Sequence, residues 1–94
     1  MSALIDAHTG LKNYISRKVC SDKIASVDIK GVVDDNYGQG RITLYSRNKE
    51  YVNKLYLKIG VWTDKKAKGI ETEIDILDDE TDKDVGIEII MRRN

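Results

Sequence analysis

One histidine, His8, and one cysteine, Cys20, are the side chains in this sequence best suited to proton transfer or nucleophilic attack. His8 falls between Leu4 and Leu11 on the apolar side of a predicted helix. A general base there would need a serine or cysteine nucleophile within reach, and no such motif adjoins it. The expectation is a buried or half-buried structural histidine. Cys20 lies at the C-terminal end of the same predicted helix, where the helix dipole disfavours a thiolate. It is expected to be structural or incidental.

The carboxylates Asp78, Asp79, Glu80, Asp82 and Asp84 invite a calcium reading. An EF-hand loop requires glycine at its sixth position and glutamate at its twelfth. Counted from Asp78, those positions are Lys83 and Ile89, so the pattern fails. The segment reads instead as an acidic turn that discourages edge-to-edge pairing of strands. Gly38–Gln39–Gly40 precedes a predicted strand, whereas phosphate-binding glycine loops open a helix. A hairpin loop is the expected role.

Basic and aromatic residues form the remaining constellation. Arg41, Arg47, Lys49, Lys54, Lys58, Lys65, Lys66 and Lys68 are interleaved with Tyr37, Tyr45, Tyr51, Tyr56 and Trp62. Cations at this density neutralise phosphates, and an exposed aromatic ring offers a stacking platform for a base. Against that stands a formal net charge of zero, since dedicated nucleic-acid domains are basic. The zero conceals an asymmetry. Residues 1–68 hold 13 Lys/Arg and 7 Asp/Glu, whereas residues 69–94 hold 3 and 9, as counted along the sequence.

The elements that must position these groups follow from periodicity. Ser2 is a suitable N-cap, and Leu4, His8, Leu11, Ile15 and Val19 recur at helical steps. Gly10 marks a bend or a close packing contact in that helix. The period then falls to two: Val27, Ile29, Gly31 and Val33 share one face of a strand within Ile24–Val33. A polar turn, Asp34–Gly40, leads to a second strand around Ile42 and Leu44. Asn48 caps a second helix with Tyr51, Val52, Leu55, Tyr56 and Ile59 inward, and Gly60 stands where a left-handed C-terminal cap is expected. Val61–Thr63 then reads as a short strand, followed by a basic turn from Asp64 to Gly69. Two alternating strands, Ile70–Leu77 and Val85–Arg92, close the chain as an antiparallel pair.

The expectation is therefore one α+β domain over residues 1–94, ordered α-β-β-α-β-β-β. It has an antiparallel sheet of about five strands and both helices on one face, because each strand is apolar on one side only. No stretch is apolar enough to span a membrane, no secretory leader is evident and a lone cysteine fits a reducing compartment, so the location expected is the cytoplasm. With no catalytic, metal or cofactor grouping in view, the chain reads as a non-enzymatic binding module, an accessory or regulatory protein phage-like in size and composition. It is expected to engage a protein partner through opposed charge patches, using Leu77, Asp78, Asp79, Glu80, Asp82, Asp84 and Ile90. The same asymmetry would support a homodimer. The alternative is a nucleic-acid-binding regulator using Arg41, Arg47, Lys54, Lys58, Trp62, Lys65, Lys66 and Lys68.

Overall fold

A computed structural model describes residues 2–24, 27–78 and 84–93. The elements in chain order are α1 (Ala3–Ser21), β1 (Asp28–Asp34), β2 (Gln39–Ser46), α2 (Lys49–Lys66), β3 (Ile70–Asp78) and β4 (Val85–Arg93). The Ser2 hydroxyl caps α1 by accepting from the Ile5 N–H and itself donates to Asp35 Oδ1 at 2.6 Å. Arg93 reaches the same carboxylate at 2.7 Å. The start of α1, the β1–β2 turn and the end of β4 thus meet at Asp35. Leu4, Ala7, His8, Leu11 and Ile15 form the buried stripe of α1, at the helical spacing the sequence shows.

Asn48 caps α2, its side-chain oxygen accepting from the Tyr51 N–H at 3.1 Å. The helix does not stop at Gly60. It runs on to Lys66, so Val61–Thr63 is helical and the described residues form four strands rather than about five. The reason lies in the core stripe, which continues past the glycine: Val52, Leu55, Ile59 and Thr63 are all buried. Packing of that stripe outweighs the ~1 kcal/mol helix penalty of one glycine. The left-handed conformation appears instead at Gly69, with φ +86°, after Ala67 has capped the helix. A Cβ built on Gly60 meets nothing within 4 Å. Gly60→Ala is accordingly expected to stabilise the protein by about 0.5–1 kcal/mol, read as a raised urea midpoint with an unchanged slope.

The strands form one antiparallel sheet in the order β1-β2-β4-β3. The two hairpins expected from alternation, β1–β2 and β3–β4, are both present, and the β2–β4 pairing joins them. Since β2 and β3 are each antiparallel to β4, they run parallel to one another, and α2 is the crossover between them. Both helices cover the same face of the sheet, their buried stripes joining one core with the helix-facing side of the strands. Across that face the register aligns Ile29, Leu44, Ile87 and Ile76 in one row, and Gly31, Ile42, Ile89 and Ile74 in the next. The two central strands carry its fully buried residues: Ile42, Leu44, Ile87, Ile89 and Met91.

The other face has no helix over it. Its rows are Asp28–Tyr45–Gly86–Leu77, Lys30–Thr43–Glu88–Asp75, Val32–Arg41–Ile90–Glu73 and Asp34–Gln39–Arg92–Glu71. Tyr45 lies over Gly86, where an added Cβ would sit 2.7 Å from its ring. Among the described residues, no helix is long and apolar enough to cross a membrane.

Candidate functional site

On α2 the core stripe leaves a second, outward stripe at the same helical spacing. Lys54, Leu57, Lys58, Val61 and Lys65 point away from the sheet and are all exposed. Leu57 is 68% exposed and Val61 55%, two open aliphatic side chains four residues apart on one helical face, whereas Val32, at 73%, stands open on the uncovered face of the sheet. Beside them, Trp62 turns toward α1 and stacks on Tyr14, with ring centroids 6.1 Å apart and planes inclined by 26°. Trp62 fits there because α1 carries Gly10 at the crossing, where an added Cβ would lie 3.2 Å from the indole. The close contact anticipated at Gly10 is therefore an indole wedge between the helices.

Tyr14, Leu57, Val61 and Trp62 together floor a shallow depression of about 310 Å³, rimmed by Lys58, Lys65 and Lys66. A neighbouring depression of about 350 Å³ shares Lys58 and includes Asp22, Asn48, Tyr51 and Lys54. Here the Tyr51 hydroxyl donates to Asp22 Oδ2 at 2.8 Å. Partial burial, and then the Asp22 carboxylate, push the Tyr51 phenol well above its ordinary value. The Lys58 ammonium is pushed down, first by its contact with Lys18 across the helix pair, with Lys54 adding repulsion and Asp22 opposing it. No carboxylate among the described residues pairs within 4 Å with Lys54, Lys58, Lys65 or Lys66. The rim is thus a cluster of ammonium groups without a direct carboxylate pair among the described residues, with Asp22 offsetting part of the repulsion at Lys58, beside open aliphatic surface.

Of the eight residues read as a basic–aromatic surface, the fold gathers Lys54, Lys58, Trp62, Lys65 and Lys66 on α2, with Lys68 in the turn just beyond. Arg41 is separated from them, on the uncovered face of the sheet. Arg47 lies past the end of β2 and pairs with Asp84 at 3.5 Å. The acidic set divides as well. Asp78 pairs with Lys49 at 2.7 Å, so the base of the acidic hairpin faces cations at the start of α2. Asp79, Glu80 and Asp82 lie outside the described residues. Leu77 and Ile90 share the uncovered sheet face but stand in different rows, each half-buried rather than open.

Charge segregates by layer. In the two helices Lys/Arg outnumber Asp/Glu by eight to three, and in the four strands Asp/Glu outnumber Lys/Arg by seven to four. The acidic excess concentrates at the β3 edge, where Glu71, Glu73 and Asp75 are exposed on the uncovered face and Glu73 pairs with Arg92 at 3.1 Å.

His8 is 4% exposed, and its Nε2 lies 3.0 Å from the Arg41 carbonyl. A carbonyl only accepts, so the proton of this bond sits on Nε2. The imidazole occupies a socket left by two strand glycines, Gly31 and Gly40, and is buried. Cys20 is a free, exposed thiol. Among the described residues no three His, Cys, Asp or Glu side chains converge as a metal site would require.

Tyr14, Leu57 and Val61 escape the sequence reading. The signal was present, since Leu57, Val61 and Lys65 keep helical spacing, but ending the helix at Gly60 breaks the stripe in the middle. Comparisons with protein-family models, with curated proteins and with solved structures find no match, so the reading of this surface rests on its geometry.

Proposed function

We propose that this protein is a non-enzymatic binding module that engages an acidic protein partner through the outer face of its helical layer. The observation that carries this is the exposed Leu57–Val61 pair set among lysines without carboxylate partners. An aliphatic pair left open on a helix whose other face already supplies the core, and rimmed by cations, is suited to receive a partner. The lysines would steer a partner of opposite charge and set its orientation. The acidic sheet face lies on the other layer, so a basic partner, or a second copy, meets a different surface. An accessory or regulatory role in the cytoplasm belongs to the same proposal, and the exposed thiol of Cys20 suits a reducing setting.

The nucleic-acid reading keeps support from the Lys54–Lys66 cluster. It is less favoured because Trp62 is half-buried and already stacked on Tyr14, and the exposed apolar groups beside it, Leu57 and Val61, are aliphatic, which offer no platform for a base. A photo-crosslinking residue placed at position 57, and separately at the exposed Asn13 of α1, separates the two in the producing cell. Adducts are expected from position 57 and not from 13. They should be destroyed by protease, resist nuclease and disappear with Val61→Asp. Nuclease-sensitive adducts, or equal yields from both positions, would overturn the proposal.

A further inference from the structure

Resting on that reading, we infer that the groove between α1 and α2 accepts an acidic amphipathic helix whose Glu or Asp side chains stand two turns apart and flank two apolar residues. The spacing comes from α2 itself. Lys58 and Lys65 are seven residues apart on one helical face, about 10 Å along the axis, and Val61 lies between them. A partner helix laid along α2 repeats that distance with acids at i and i+7. Its residues at i+3 and i+4 then meet Leu57, Val61 and Trp62.

Charge complementarity selects this occupant. Lys58 is crowded mainly by Lys18, with Asp22 offsetting part of that repulsion and Lys54 adding to it. A carboxylate placed on the side of Lys58 away from Asp22 therefore relieves the remaining repulsion as well as forming a new pair. An anionic membrane would also attract lysines. However, the apolar floor is a small cleft between two helices, and the broad apolar face of α2 is already consumed by the core. The cleft suits a few inserted side chains rather than a flat bilayer.

Trp62 is the only tryptophan in the chain and lines the groove, so its emission reports occupancy in the intact, unlabelled protein. The probe is a synthetic alanine-rich helix with Glu at i and i+7 and Leu at i+3 and i+4. The control has the same composition, with the second Glu moved to i+5 on the opposite side. The first peptide is expected to shift Trp62 emission saturably, bind about tenfold tighter than the control and weaken with salt. Leu57→Asp and Lys65→Glu should each weaken it about tenfold or more. Lys58→Glu should weaken it similarly without lowering the unfolding midpoint, because it removes the Lys18 repulsion; that separates a binding role from a folding role.

Equal affinity for probe and control would overturn the spacing inference while leaving the protein-docking reading in place. Binding of neither peptide would overturn the inference, and the position-57 crosslinks would then decide the reading by themselves. If only a single-stranded oligonucleotide or phosphatidylserine vesicles shift the emission, both the inference and the reading fall.

Discussion

Ile89→Ala is expected to lower the free energy of unfolding by about 2–5 kcal/mol, the range measured for deleting buried aliphatic side chains. Ile89 is 0% exposed and lies on β4, an interior strand, between Ile42 of β2 and Ile74 of β3. Removing its outer carbons opens a cavity where the two hairpins join beneath the helices. Neighbours on hydrogen-bonded strands cannot close that space without disturbing the register. Small proteins have only ~5–15 kcal/mol in total, so this substitution should shift the urea midpoint more than any surface change described above. Ile76→Ala supplies the comparison. It lies on the same face but on the edge strand, is 39% exposed, and should cost less than half as much. Equal losses at the two positions would show that the core does not centre on the β2–β4 junction.

Gly40→Ala is the second large effect expected, about 1–3 kcal/mol destabilising, and its cause can be isolated. A Cβ on Gly40 would stand 2.9 Å from His8 Cδ2 and 3.3 Å from Val33 Cγ2. The imidazole has little room to retreat, since its other side rests over Gly31, where a Cβ would lie 3.0 Å from Cε1. Its Nε2–H is also held by the Arg41 carbonyl. His8→Ala will destabilise the protein by itself, but in that background the added methyl of Gly40→Ala enters the vacated space. Most of its cost should therefore vanish, leaving a coupling energy of roughly 1–2 kcal/mol in a double-mutant cycle. If the two changes are additive, the glycines are not the socket for His8 and the strand backbone itself demands them.

These experiments address the core and the outer helical surface separately. Ile89 and Gly40 lie under the helices, whereas Leu57, Lys58 and Lys65 lie outside them. Substitutions in the second group should leave the unfolding midpoint nearly unchanged while altering binding. The separation follows from α2 having two stripes: Val52, Leu55, Ile59 and Thr63 for the sheet, and Lys54, Leu57, Lys58, Val61 and Lys65 for the outside.

By itself the amino-acid sequence determined the helix starts at Ser2 and Asn48, the two antiparallel hairpins, the alternation of burial along most of each strand and the placement of both helices on one face. Those features rest on local capping and on periodicities of 3.6 and 2, which neighbouring residues carry without help from distant ones. Even there Gly60 misled, because local propensity marks it as a helix end while the buried stripe running through Thr63 holds the helix to Lys66. Only the tertiary structure decided that β2 pairs with β4, a join between hairpins separated by a whole helix in the chain. It alone placed His8 over Gly31 and Gly40, and Trp62 against Gly10, since close approach across elements leaves no periodic trace. The same assembly divided the charged residues. Arg41 went to the sheet face and Arg47 to Asp84, while Lys54, Lys58, Lys65 and Lys66 were left together beside Leu57 and Val61. A sequence gives the sign and order of its charges, but which of them meet is set by the packing of layers.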